Sequence, residues 1–244
     1  MRLLKLLASF SLLLSLIGCA SIQEPISLSS NVFDDRNIKI GLIHTEIPTA
    51  ETIYTGSIGL LDYAIIAGAN GGLDSHLATL SFPEYKEFIT SIEESLEDKG
   101  LDLVVVDTAL TRESAKELKR PTEGKSNNDF SSYQSKHNLD LLLLIDIKSV
   151  GTTRSYYGFI PTSEPLAQSV VTGQLIDLSS NQLLWYSNTV TQKTISTPWD
   201  EADNDYPNLT TTVYQSLDES FKKINYELEG NKPLNVVAEN SASK

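Results

Sequence analysis

Basic residues and cysteine are both scarce in this 244-residue chain: 19 Lys and Arg stand against 32 Asp and Glu, and there is a single Cys. A formal charge of −13 argues against a nucleic-acid partner, because affinity for phosphates comes mainly from Lys and Arg releasing counterions. Histidine is also rare. His44, His76 and His137 show no H-x-x-H or H-E-x-x-H spacing, so no metal site or triad is legible. No G-x-S-x-G elbow serves a serine nucleophile, and Gly68 to Gly72 lacks the G-x-x-x-x-G-K of a phosphate loop. Asp200, Glu201, Asp203 and Asp205 fall short of a calcium loop because no Gly follows in register. The reading that results has no catalytic residue, no metal and no cofactor. What is present, 40% apolar and 21% charged residues, is ordinary globular composition sufficient for one sizeable core.

The one cysteine lies at position 19, at the end of a distinctive N-terminus. Met1, Arg2 and Lys5 open it, an apolar run from Leu6 to Ile17 follows, and Leu16-Ile17-Gly18-Cys19 closes it. This is the layout of an export signal, too short for a membrane-spanning helix of about 20 residues. The last four residues resemble the bacterial lipoprotein lipobox. That resemblance implies cleavage after Gly18, acylation of Cys19, and attachment to membrane lipid through that residue. Ala20 and Ser21 follow, with no Asp directly after the cysteine, which resembles sorting to the outer membrane. A thioether-linked diacylglycerol buries dozens of methylenes at about 0.8 kcal/mol each, so such an anchor is effectively permanent. Removing residues 1–18 leaves 17 basic against 32 acidic groups, a charge of −15, and no cysteine free for a disulfide, a thiolate cluster or a nucleophile.

Residues 19–37 read as the lipidated Cys and a polar tether, 38–228 as one α/β domain with an insertion at 45–80, and 229–244 as a disordered tail. Ile38 to His44 reads as the first strand. The best-marked helix spans 82–99. Ser81 and Glu84 suggest a capping box around Pro83, Tyr85, Phe88, Ile89, Ile92 and Leu96 form a stripe, and Gly100 supplies the stop. Leu101 to Asp107 then reads as a strand buried on both sides, lying beside the first. A short helix over 129–138 turns Phe130 and Tyr133 inward, and Leu139 to Val150 forms the longest strand, with Asp146 and Lys148 on its wet face. A connection over 151–168 leads to a hairpin, Ser169 to Leu178 and Leu183 to Thr194, with Trp185 in the core under a final helix. That helix carries Leu209, Val213, Leu217, Phe221, Ile224 and Leu228 at helical spacing. The expected fold is α/β of the α+β kind, in the order β-α-β-α-β-β-β-α. A mixed sheet of about five strands ends in an antiparallel meander, with helices on one or both faces.

Leu175-Ile176-Asp177-Leu178 followed by Leu183-Leu184-Trp185 and a closing helix is similar to a periplasmic lipoprotein group. Its types are the TolB amino-terminal domain, the curli secretion lipoprotein, the Pel polysaccharide secretion lipoprotein and the peptidoglycan-synthase activator lipoproteins. The resemblance spans roughly residues 38–228 and implies a scaffold, secretion or activator role rather than an activity.

Two segments invite a functional reading. Ile58 to Ala69, which contains Ile58, Leu60, Leu61, Tyr63, Ile65 and Ile66, is either a core-covering loop or short helix, or a surface for oligomer contact or shallow membrane insertion. Tyr156, Tyr157, Phe159 and Ile160 belong to an aromatic hairpin tip, which is either structural or a binding anchor. The favoured function is a non-enzymatic interaction, assembly or scaffold module at the periplasmic face of the outer membrane, with a second copy or another envelope protein as partner. The alternatives are an envelope hydrolase using an acidic pair and a lipoprotein binding a small apolar ligand.

Overall fold

The computed structural model describes residues 23–106, 116–118 and 122–231. Cys19, the lipobox residues Leu16, Ile17 and Gly18, and most of the expected tail lie outside these residues. Strand β1 (Lys39–His44) is followed by β2 (Glu51–Ser57), helices α1 (Leu60–Ala69), α2 (Gly71–Leu77) and α3 (Glu84–Asp98), and strand β3 (Asp102–Val105). A two-residue pair, β4 (Lys116–Glu117) and β5 (Asn128–Asp129), precedes helix α4 (Ser131–His137). Then come β6 (Leu141–Tyr157), β7 (Ile160–Pro161), β8 (Leu166–Asp177), β9 (Gln182–Thr194) and α5 (Pro207–Leu228).

Seven of these strands form one mixed sheet. Its order is β3-β1-β6-β8-β9, with β2 and β7 beside the far half of β6. β1 and β2 both run parallel to β6, while β6, β8 and β9 form the expected antiparallel meander. Helices α3 and α5 cover one face. Their facing stripes are buried as the sequence spacing implies, and Phe88 stacks on Phe221 at 4.1 Å between centroids. Small side chains let α5 approach the sheet closely. Ser169 Oγ on β8 donates to the Ser216 carbonyl at 2.8 Å and meets Ser220 Oγ at 2.8 Å, and Ser220 in turn donates to Thr191 Oγ1 on β9 at 2.8 Å. On the other face, Phe130 and Leu139 join Ile43, Leu142 and Ile176 in a smaller cluster, with Tyr133 partly buried against it.

Several expectations need correction. The segment 45–80 is regular, containing β2, α1 and α2. The strand expected over 101–107 is the short β3, which among the described residues pairs only with β1 and so forms an edge, with Val104 and Val105 exposed. β6 is longer than expected and takes in residues 151–157, because β2 pairs with Gly151 to Tyr157 and holds the chain extended. Asp146 is buried rather than on a wet face, because every residue from Leu141 to Ile147 is buried and both sides of this half of β6 are covered. Thr45 Oγ1 donates to Asp146 at 3.2 Å, and the exposed Lys148 pairs with the same carboxylate. Ser81 does not cap α3: Pro83 already has helical torsions and occupies the cap, so Ser81 falls outside, and its carbonyl accepts from the Tyr214 hydroxyl. The helix ends as expected, with Gly100 at φ +73 and its N–H donating to the Glu97 carbonyl at 2.7 Å.

Residues 23–37, expected as part of a tether, lie along the domain. Ile26 exchanges two backbone hydrogen bonds with Tyr186 on the outer edge of β9, and Leu28, Val32 and Phe33 pack against the core. Gln23 accepts from the Gly124 N–H, whose own carbonyl accepts from Leu183. The described chain therefore begins at the β8–β9 turn, the end of the sheet opposite to β7.

Glu227 on α5 is buried beside Trp185 and Ser187. Burial pushes its carboxyl above the ordinary glutamate range; donors on Ser187 and Trp185 offset this in part, although neither Glu227 Oε2 nor Trp185 Nε1 closes a hydrogen bond of standard geometry. The folded state thus holds a proton more tightly than the unfolded one, and the stability this confers is full below the unfolded value and lost as pH rises through the folded value. Glu227→Gln should be indistinguishable from the parent in acid and more stable by about 1–2 kcal/mol at neutral pH. Chemical denaturation across pH 4–8 checks this; equal stability at both ends of that range would refute it.

Candidate functional site

Helix α1 begins after Gly59, whose N–H donates to the Asp62 carboxylate at 2.9 Å. Its sequence is apolar on nearly every side, yet it buries one residue, Ile66, at 1% exposure. Leu60 and Leu61 are 90% and 82% exposed, and Tyr63 and Ile65 are also exposed. Polar groups and rings hold the helix to the sheet. Asn70 Nδ2 donates to the Ile66 carbonyl and to the Tyr156 hydroxyl, at 2.8 and 3.0 Å. The Tyr54 ring stands edge-on to Tyr63 and Tyr156, and its hydroxyl donates to Asp74 on α2 at 2.6 Å. Burial, then the Asp74 acceptor, push the Tyr54 hydroxyl above its ordinary range, so it remains a donor.

The hairpin tip joins β6 to β7. Tyr157 is 72% exposed, and Phe159 and Ile160 are exposed with it. Gly158 makes the turn at φ +58, donates to the Ser57 carbonyl at 2.8 Å, and lies against Asp62 at the start of α1. The two segments singled out in the sequence, about 90 residues apart in the chain, are therefore neighbours on one face. Two of their residues are corrections to the expected contact set. Tyr156 is buried, since successive strand residues point to opposite sides, and Ile66 is the one residue of α1 that is buried. Ile58 is half-buried.

Beside this apolar face lies an open cleft of about 280 Å³. Ile65, Leu73 and Phe159 line one side, and Trp199, Asp200 and Tyr206 from the loop before α5 line the other. The Arg154 guanidinium sits 4.9 Å over the Trp199 ring and 5.7 Å over Tyr156. Its Nε donates to the Ser163 carbonyl at 3.0 Å, and it makes no ion pair with any described carboxylate. Sequence reading missed Arg154 and Trp199. The only local signal was a tryptophan in a polar loop.

Asp200, Glu201, Asp203 and Asp205 sit in one exposed turn, and Asp200 alone of these lines the cleft. Among the described residues no group of His, Cys, Asp and Glu is arranged to hold a metal. The histidines have separate surroundings: His44 is edge-on to Tyr85, His76 meets Thr210 at 2.7 Å, and His137 stacks on Tyr133. Among the described residues no helix is long and apolar enough to cross a membrane.

No family model matches the sequence, and no curated protein matches it. Solved structures with a similar course of chain do exist. The hypothetical protein CT253 from Chlamydia trachomatis is 11% identical, with 79% of this chain and 96% of that one covered, at a TM-score of 0.38. The PelC dodecamer from Paraburkholderia phytofirmans is 8% identical over 81% and 94%, at 0.29. Lipoprotein GNA1162 from Neisseria meningitidis is 13% identical over 74% and 99%, at 0.23. These neighbours thus include a hypothetical protein and a lipoprotein.

Proposed function

We propose that this chain is a non-enzymatic lipoprotein of the bacterial cell envelope, acylated at Cys19, held at the periplasmic face of the outer membrane, and docking on another envelope protein or a second copy of itself. The observation that carries the docking role is the convergence of α1 and the β6–β7 tip. It places Leu60, Leu61, Tyr63, Ile65, Tyr157, Phe159 and Ile160 on one surface, all exposed. A Leu or Phe side chain gains about 1.5–3 kcal/mol on full burial, so a cluster of this kind rimmed by polar residues has the make-up of an interface core. The anchor is supported by the lipobox residues Leu16 to Cys19.

A photo-crosslinking residue placed at Leu61 or Tyr157 in intact cells should give discrete adducts, whereas the same residue at the exposed Glu94 on α3 should give none. Cys19→Ser should abolish membrane retention and deplete the adducts. Equal labelling from all three positions would overturn the docking surface, and unchanged retention would overturn the anchor. The carboxylates of 200–205 offer no comparable support for a hydrolase, since they project from a single turn rather than facing one another across a cleft.

A further inference from the structure

We infer that the cleft between α1, the β6–β7 tip and the loop before α5 binds a small zwitterion with an apolar side chain, that is, a free apolar α-amino acid. The cleft borders the docking surface and shares Ile65 and Phe159 with it, but the inference does not rest on a partner binding there.

Opposite charges share the cleft without neutralising each other. Arg154 is fixed by its Nε bond to Ser163 and by the rings of Trp199 and Tyr156, leaving the outer edge of its guanidinium with no carboxylate partner. Such an edge, held in place before the ligand arrives, is suited to two parallel hydrogen bonds with a carboxylate. Asp200 follows Trp199 directly in the chain and lines the same cleft, where it makes no ion pair with Arg154. A monoanion would meet Arg154 but also the repulsion of Asp200 and of an acidic chain. A cation would meet Asp200 but be repelled by Arg154. A ligand bearing both charges a few ångströms apart satisfies both.

The remaining wall is apolar, made by Ile65, Leu73 and Phe159, with the Asn70 amide and the Tyr206 ring at its edges. A volume of about 280 Å³ lies just below the range of drug-sized sites, about 300–1,000 Å³, and suits a ligand of leucine or phenylalanine size. Asn70 also ties this wall to Tyr156, which lies under the guanidinium, so the cationic and apolar parts belong to one braced unit.

The test is calorimetric titration of the full chain in detergent with L-phenylalanine, N-acetyl-L-phenylalanine and L-phenylalanine amide. The free amino acid should bind, and loss of either charge should weaken binding roughly ten-fold or more. Asp200→Asn should weaken phenylalanine by a similar factor and leave the N-acetyl compound unchanged or tighter. Because Asp200 is exposed, that variant keeps its fold even where Arg154→Gln loosens the Trp199 loop. Leu61→Ser, which removes part of the docking surface but no cleft residue, should leave titration unaltered. Absence of phenylalanine binding, binding of either single-charge analogue as tightly as the zwitterion, or an unaltered Asp200→Asn titration would each overturn the inference.

Discussion

Gly173→Ala is expected to lower stability by about 3 kcal/mol and the melting temperature by roughly 6–12 °C, although it adds one methyl group to a strand. Gly173 lies in the middle of β8, paired with Ile145 on one side and Ser187 on the other. Glycine in a strand interior ordinarily costs stability through backbone entropy, so alanine would normally help. Here a Cβ would fall inside the Trp185 indole, against Cη2 and Cζ3, with Cζ2 at 3.1 Å. Trp185 is fully buried and belongs to the main cluster beneath α5, so the ring has nowhere to move. Thermal unfolding of Gly173→Ala, Trp185→Phe and the double variant would measure the coupling, and the double variant should be less unstable than the two single losses together. A Gly173→Ala protein as stable as the parent would show that the indole shifts freely, contrary to this account.

The second large effect is expected at Gly151, where β2 joins β6. Gly151 has φ +135, a conformation that side chains other than hydrogen avoid, and a Cβ there would run into the Glu51 backbone. Backbone strain of about 1–3 kcal/mol adds to overpacking of similar size, so Gly151→Ala should cost about 2–6 kcal/mol. The damage should be local before it is global, because among the described residues β2 pairs with β6 and no other strand, and Tyr54 on β2 helps to seat α1. Hydrogen exchange should therefore speed up across residues 51–70 while the β8–β9 ladder remains protected. Uniform acceleration over the whole sheet would show that β2 is not a separable unit. Gly56 stands at the other end of the same ladder, at φ +102 against the Tyr156 backbone, so the segment that carries α1 is fitted by a glycine at each end.

The elements legible in the sequence are those with a strong polarity difference between faces. α3 and α5 each set an apolar stripe against a polar face, acidic in α3, and Tyr85 to Leu96 and Leu209 to Leu228 are buried in phase with that spacing. The β8–β9 hairpin has its turn residues where a turn is needed, with Asp177 accepting from Ser179 and Ser180. β2 has no such signal: Glu51 to Ser57 is largely polar, half-exposed and interrupted by Gly56, and its extended form comes from pairing with a strand 100 residues away. α1 is illegible for the opposite reason. With apolar residues on nearly every side, the pattern has no phase, so nothing distinguished the buried Ile66 from the exposed Ile65. The contact residues were visible as types, but their adjacency was not, because the Gly158–Asp62 approach is set by the β2–β6 pairing. Arg154 and Trp199 were missed for the same reason: their stacking joins the end of a strand to a loop 45 residues later.

If Cys19 is acylated as proposed, the position of Gln23 sets how the domain would stand on a membrane. Gln23 is bound at the level of Leu183, which pairs with Ile176 and through it with Leu142, whereas Tyr157 ends the same strand fifteen residues later. At about 3.3 Å per strand residue, the apolar tip lies roughly 50 Å from Gln23. Three residues lie between Cys19 and Gln23, and the four Cα–Cα steps span at most about 14 Å when fully extended. An acylated Cys19 would thus moor the domain by one corner and carry α1 and the tip at the far diagonal. Standing upright, it would work as a short mast, offering its apolar head to a partner some tens of ångströms beyond the lipid that holds its foot.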